Sequence, residues 1–394
     1  MATDRTATAT AEALGVIRLL ASEIGPRRPC SAAERRAGEA LSSHLRERGL
    51  DPHLEEHRGY STFAAPYGLL FGVALAGGLL QRRAPRAGGA IAAIASLLAA
   101  LEGDLRLTPV SRLLSRRPTA NLVASIGPTA TPRQRVCLVG HMDSTRYGLL
   151  FHPAAVRHLE LLTAIPGASA LALAAHPLLR RLPGGGGVVR RAALAGLAFS
   201  LLVLAERELR GDDVPGASDN ASGTAVAMQL AAECAARPLA HTRVDLLITT
   251  CEESGLLGAQ AYARGPRERI DGTLFLNFDT VGGDVPLTYI EREGTTVPRS
   301  ASSRLVAHLE QIAGDRPELG LQPAPGTPGL PTDATVMMAR GEEAVTLLAQ
   351  GDSVPHYHQM TDTYENVHPP TVERTLETGR ELLTRLDREV SAAT

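Results

Sequence analysis

GASDNASGTAVAMQLAAECAARPLAHTRVDLLITTCEE, residues 216–253, compresses a polar loop, a helix, a turn and a strand into 38 residues. Asp219 stands among Gly, Ala, Ser and Asn directly ahead of an alanine-rich run that predicts a helix over Gly223–Ala236. Val244–Thr250 is apolar and rich in residues suited to a buried strand, and it runs straight into Glu252 and Glu253. The same rhythm continues outward on both sides. Asn121–Ile126, Arg135–Gly140, Thr273–Phe278 and Val345–Leu348 read as strands. Leu256–Arg264, Ser303–Ala313 and Val372–Val390 read as helices. Strands alternating with helices predict an α/β fold, with a mixed, mostly parallel central sheet covered by helices on both faces.

Ahead of this core, residues 11–49 carry apolar positions at helical spacing, broken at Pro26, with Ser31-Ala-Ala-Glu34 forming a capping box. The chain has 394 residues, 40 basic against 42 acidic, and all the basic residues are arginine. Balanced charge gives no electrostatic ground for a nucleic-acid partner. Absence of lysine excludes Schiff-base chemistry and the lysine of a phosphate-binding loop. Cys30, Cys137, Cys234 and Cys251 are too scattered for a disulfide framework, and Cys137 and Cys251 lie in apolar runs that predict burial. Residues 1–14 lack the apolar centre of a signal peptide.

Two stretches break the alternation. Residues 62–101 and 158–206 each consist of an apolar run, an arginine-rich turn and a second apolar run. We read both as apolar helical hairpins inserted into one domain spanning 1–394. Phe63–Gln81 and Leu161–Leu179 hold 19 residues each without a charge, long enough at 1.5 Å per residue for ~28 Å, about a hydrocarbon core. Ala87–Leu101 and Ala192–Ala205 are shorter, at 15 and 14. Such runs suit a membrane anchor, a lid or a dimer contact; we expect both hairpins to pack together as one four-helix membrane anchor. Arg82, Arg83, Arg86, Arg180, Arg181, Arg190 and Arg191 cluster at the turns, which puts the turns in the cytoplasm under the positive-inside rule. Membrane association is the expected location, with a cytoplasmic enzyme as the alternative.

Polar residues gather where predicted strands end. His141 and Asp143 follow one, Glu252 and Glu253 another, and Asp279 a third. In open α/β sheets the crevice beyond the carboxyl ends of the strands is where ligands bind, so these positions converge. Singly, each reads as an ordinary loop residue, and Asp219 as a helix cap. His356-Tyr-His358-Gln-Met-Thr-Asp362-Thr363, before the last helix, adds two histidines. Histidine with aspartate and glutamate, and no cysteine, suits zinc or a similar divalent metal. His53-Leu-Glu-Glu56-His57 matches the inverted zinc-protease pattern, which requires a helix, but Gly49, Pro52 and Gly59 argue against one there. There is no G-x-S-x-G nucleophile elbow.

His141-Met-Asp143, Asp219-Asn-Ala-Ser-Gly223, Glu252-Glu253, Asn277-Phe-Asp279-Thr-Val-Gly282 and His358 with Asp362-Thr363 follow in an order that resembles the co-catalytic di-zinc aminopeptidases, of the bacterial leucyl aminopeptidase and aminopeptidase Y type. The intervals Asp219 to Glu252 (33) and Glu253 to Asp279 (26) are similar to that family's, and Gly25-Pro-Arg-Arg-Pro29 resembles its opening. The resemblance implies a zinc-exopeptidase fold and two zinc ions per chain. It implies His141 and Asp279 on one ion, Glu253 and His358 on the other, and Asp219 bridging. It further implies Glu252 as general base, Asp143 orienting His141, and Tyr357 as a hydrogen-bond donor to the tetrahedral oxyanion. The chain departs from the family between Asp143 and Asp219, where 76 positions replace a short loop. The expected activity is removal of N-terminal residues from peptide substrates. Carboxypeptidase and glutaminyl-cyclase relatives leave the bond attacked open, and a non-catalytic membrane scaffold on the same fold is the alternative from another class. Oligomeric state is not legible.

Overall fold

The computed structural model describes residues 2–179, 186–324, 326–328 and 330–392. Among the described residues there are eleven strands: β1 (His53–Gly59), β2 (Arg117–Ile126), β3 (Gln134–His141), β4 (Thr242–Thr249), β5 (Thr273–Phe278), β6 (Leu287–Ile290), β7 (Arg292–Gly294), β8 (Arg299–Ser300), β9 (Gln322–Ala324), β10 (Thr327–Pro328) and β11 (Glu343–Ala349). Eight of them form one sheet in the order β1-β2-β4-β3-β5-β11-β6-β9, and β10-β7-β8 form a small second sheet. The centre of the large sheet is parallel: β3 pairs in parallel with β4 and β5, and β5 with β11. Its flanks turn antiparallel, at β1–β2, β2–β4 and β11–β6.

The helices before the second hairpin are α1 (Ala2–Arg18), α2 (Ala32–Glu47), α3 (Ala64–Leu80), α4 (Pro85–Asp104), α5 (Pro109–Leu114) and α6 (Pro153–Val156). Then come α7 (Leu159–Leu179), α8 (Gly186–Arg210), α9 (Gly223–Ala236), α10 (Leu257–Tyr262), α11 (Ser303–Asp315), α12 (Asp333–Met338) and α13 (Pro369–Ala392). Side chains alternate across a strand with period two, so each central strand serves both faces. Val136, Leu138, Leu246, Leu274 and Leu276 point into one core with α1, α2, α9, α11 and α13. Cys137, Val139, Leu247 and Phe275 point into the other, beneath α10 and α12. Double-sided burial is why these strands read as unbroken apolar runs.

The expected α/β sheet with helices on both faces is what the chain forms. Helix α9 occupies the predicted residues, and Cys137 and Cys251 are buried and free. His53–His57 lies on strand β1, with His57 Nε2 2.9 Å from Thr250 Oγ1, so the inverted zinc-protease reading has no helix to stand on. The capping box is half formed. Ser31 accepts from the Glu34 amide, but the Glu34 carboxylate turns to the amides of Cys30 and Cys251 instead of reciprocating.

The two apolar hairpins, α3–α4 and α7–α8, pack together as one four-helix bundle. Its interior is made of small residues: Ala74, Ala92, Ala95, Ala170 and Ala193, with Leu173 and Leu197. Close approach depends on glycine. A Cβ on Gly88 would sit 2.3 Å from the Gly77 carbonyl oxygen, and one on Gly89 would sit 2.3 Å from Pro177 Cγ. At one end of the bundle Arg190 donates to the Gly78 carbonyl, which sets the start of α8 beside the α3–α4 turn. Arg180 and Arg181 fall outside the described residues. At the other end Arg207 donates to the Arg146 carbonyl and to the hydroxyls of Thr62 and Thr145, and stacks over Phe63. That clamp fixes the bundle to the sheet domain. The sequence marked Phe63–Gln81 as one of the two longest runs, yet α3 is the shortest of the four at 17 residues, while α8 reaches 25. Charge-free length misjudges this because α8 continues through Glu206, Arg207 and Glu208 into the clamp.

Candidate metal centre

Parallel register aligns the carboxyl ends of β3, β4 and β5, because Val136 pairs with both Val244 and Leu274. His141 ends β3, the Cys251–Glu253 loop leaves β4, and Asp279 follows β5. The Asp219 loop enters α9 from beside them. Gly223 opens that helix against β5, where a Cβ would lie 2.0 Å from the Phe278 carbonyl oxygen. Asn220 locks the junction: its Nδ2 donates to Phe278 O, and its Oδ1 accepts from the amides of Gly223 and Thr280. His358 arrives on the long loop after β11 with a left-handed φ of 54°, a conformation that costs energy in a non-glycine residue and is found at functional sites.

The side chains assemble into two groups within metal-binding reach: His141, Glu252 and Asp279, and Asp219, Glu253 and His358. Asp219 faces both histidines, with Oδ1 3.3 Å from His141 Nε2 and Oδ2 3.1 Å from His358 Nε2. Glu253 Oε2 is 3.2 Å from His358 Nε2. Glu252 Oε2 and Asp279 Oδ1 each lie 3.9 Å from His141 Nε2. Among the described residues Glu253 Oε1 is buried without a hydrogen-bond partner, and Asp219 Oδ2 meets only the His358 ring nitrogen, a costly arrangement unless a cation takes the lone pairs. Two imidazoles and a set of carboxylates with no thiolate fit zinc.

Electrostatics carries the same message. Burial pushes Glu252 well above the usual carboxylate range, with Glu253 and Asp279 adding to it. Burial also pushes Asp279 up to about 6, Asp219 adding. Burial opposes a charged His358, but Glu253 and Asp219 outweigh it and push the imidazole up to about 9. His141 likewise rises well above its ordinary value, as Glu252, Asp143, Asp219 and Asp279 overcome burial. Against its own burial, Asp219 is held below the usual range by the two imidazoles. A buried pocket this rich in negative charge is stabilised by cations.

Asp143 acts on more than His141. Its carboxylate lies 3.7 Å from His141 Nδ1, whose nearer partner is the Asp143 carbonyl at 3.2 Å. Both carboxylate oxygens accept from the backbone amides of Glu252 and Glu253, at 3.2 and 3.1 Å. Tyr357 is half-buried and stacks on the His358 ring, centroids 3.9 Å apart, while Phe151 meets that ring edge-on at 4.3 Å.

Sequence reasoning gave no role to three supporting residues. Asp362 accepts from the amides of Ser218 and Asp219 and so holds the Asp219 loop. Arg27, fully buried, donates to the carbonyls of Met142, Leu20, Pro215 and Gly216. Asp333, at the start of α12, accepts from Thr249 Oγ1 and is pushed up to about 7 by burial. The first two sit inside quoted motifs; nothing in the local sequence marks Asp333.

Residues 202–383 match Peptidase family M28. That segment holds Asp219, Glu252, Glu253, Asp279 and His358, and leaves His141 and Asp143 beyond the second hairpin. No curated protein matches the chain by sequence. The fold is similar to a zinc aminopeptidase from Bacillus subtilis (14% identity, 96% of this chain and 95% of that one, TM-score 0.57). It is also similar to a Tannerella forsythia glutaminyl cyclase (15%, 95% and 98%, TM-score 0.58) and to an aminopeptidase from an Aneurinibacillus species (13%, 95% and 93%, TM-score 0.57). Just under half of the chain thus matches a peptidase family model, and the whole chain adopts a fold similar to that of zinc aminopeptidases and a glutaminyl cyclase.

Proposed function

We propose that the chain is a membrane-anchored di-zinc aminopeptidase. The observation that carries the catalytic part is Asp219, which turns one carboxylate oxygen toward each of two histidine-centred groups. His141 and Asp279 would hold one zinc, Glu253 and His358 the other, with Asp219 shared. Two ions held there would supply a water of lowered pKa. Glu252, next to His141 and Asp279 at the cavity, is placed to act as general base and would carry a proton to the leaving amine. Asp143 supports this by fixing the backbone of both glutamates. Tyr357 is kept protonated, because burial raises its phenol well above the usual value, and so it can donate to the oxyanion.

The anchor is the four-helix bundle. Helices α4, α7 and α8 are each long and apolar enough to cross a membrane. With the α3–α4 turn at the end away from the metal centre, the positive-inside rule would put that turn and its Arg82 and Arg83 in the cytoplasm and the catalytic domain on the outer face.

Metal analysis of detergent-solubilised protein tests the catalytic reading. Close to two zinc ions per chain are expected, and Asp219→Asn loses both because one carboxylate serves both ions. Asp219→Asn with full metal content and activity would overturn it. An aminoacyl-nitroanilide panel, run beside an N-terminal glutaminyl peptide assayed for cyclisation, separates the aminopeptidase from a cyclase.

A further inference from the structure

We propose that the substrate is an amide carrying a long aliphatic chain, and that the chain lies in an apolar cavity between α3, α7 and α8. This rests on reading the same site as a metallo-exopeptidase and narrows its substrate class. A single cavity of about 760 Å3 is lined at one end by His141, Asp219 and Glu252 and at the other by bundle residues. Phe63, Tyr67 and Phe71 come from α3 and its start, Leu162 and Pro166 from α7, and Val203 from α8. The volume falls in the range that holds ligands of drug size, enough for the scissile group and on the order of ten carbons.

Several polar groups on the bundle side are already engaged. Ser200 Oγ donates to the Gly196 carbonyl and Thr163 Oγ1 to the Leu159 carbonyl. Tyr60 and Ser111 pair at 2.7 Å, and Glu102 accepts from the Ser111 amide and hydroxyl. Backbone groups in α3 and α8 bond within the helix, and in α7 Pro166 withdraws only the donor that would reach the Leu162 carbonyl. An extended peptide would bring an N–H and a C=O per residue into this wall and leave them unpaired. A hydrocarbon chain has no such groups to satisfy. The cavity also reaches the outside of the bundle: Phe199 and Leu161 line it while 48% and 66% exposed on the outer apolar face. A chain already dissolved in a bilayer can therefore enter sideways.

The test uses the full-length zinc-loaded protein in bicelles with two series, leucyl-n-alkylamides and N-acyl-leucines, from two to fourteen carbons, and leucyl-p-nitroanilide as reference. The expected result is a kcat/KM that rises roughly two- to fourfold per added carbon in one series, up to about ten carbons, and then levels. The series that rises tells which side of the scissile bond bears the chain. Val203→Trp should move the break to shorter chains, and Val203→Ala should move it to longer ones. Flat profiles in both series with the nitroanilide still cleaved would overturn the proposal and leave the exopeptidase reading intact. A leucyl-leucyl-leucyl amide turned over faster than every alkylamide would also overturn it, in favour of an apolar peptide. Turnover of no compound by zinc-loaded protein would overturn the exopeptidase reading and this proposal with it.

Discussion

The sheet domain and the helical bundle draw on the same alanine- and glycine-rich alphabet and arrange it in opposite ways. In the sheet domain large side chains lie inside: Phe275, Phe278, Leu122, Leu138 and Met142 are fully buried. In the bundle alanines meet at the centre around Leu173 and Leu197, and many other large side chains face out, with Ile94 58% and Leu202 70% exposed. Water drives the first arrangement, since apolar area removed from it is the main favourable term in folding. The second makes sense where the surroundings are as apolar as leucine and helices associate by close packing of small residues. The candidate metal ligands belong wholly to the first region, and the cavity joins them to the second.

The largest expected effect tests the polar half of this contrast. Glu252→Gln should keep its zinc and lower kcat by roughly 10²–10⁴, whereas Glu253→Gln should lose metal. Metal content and kcat measured on the two variants check this, and equal zinc loss in both would remove the distinction between base and ligand.

A charge placed on the outer face of the bundle comes next. Ile94 lies near the middle of α4, and Ile94→Arg should disfavour membrane insertion by ~2.5–3.5 kcal/mol. Val297, 41% exposed in the sheet domain, should accept arginine with little change. A glycosylation-mapping insertion assay on α4, with thermal unfolding for Val297→Arg, reads the two. Inside the bundle, Gly88→Leu should cost ~1–3 kcal/mol in detergent by forcing α3 and α4 apart, measured as a lowered unfolding midpoint.

The smallest effect concerns pH. Glu293, buried beneath Thr332 and Thr335, is pushed up to about 7 by its burial, the threonine hydroxyls opposing. A raised carboxyl favours the protonated form in the folded state. Its stabilising contribution is therefore complete below the ordinary value near 4.5 and is lost as pH rises through about 7. Glu293→Gln should shrink the drop in unfolding midpoint between pH 5 and pH 8.

Much of this was legible in the sequence for a physical reason. Buried parallel strands and α9 advertise themselves as apolar runs, and residues at strand ends must converge in an open sheet. That is how His141, Asp219, Glu252, Glu253, Asp279 and His358 could be grouped although they span more than 200 positions. Strand β1 escaped because it is an edge strand reading His-Leu-Glu-Glu-His-Arg-Gly, too polar to show a pattern. Asp333 and Arg27 escaped because their roles depend on partners brought near by the fold. The bundle's composition was visible; its inside-out packing was not, since which face of α3 or α8 is covered depends on the other hairpin.

Fractionation with flotation tests the central contrast most directly. The bundle predicts that the full chain stays with membranes through carbonate washing, floats with lipid, and enters solution only with detergent. A chain that remains in the high-speed supernatant and is monodisperse in buffer alone would contradict it, and the outward leucines would then need another cover.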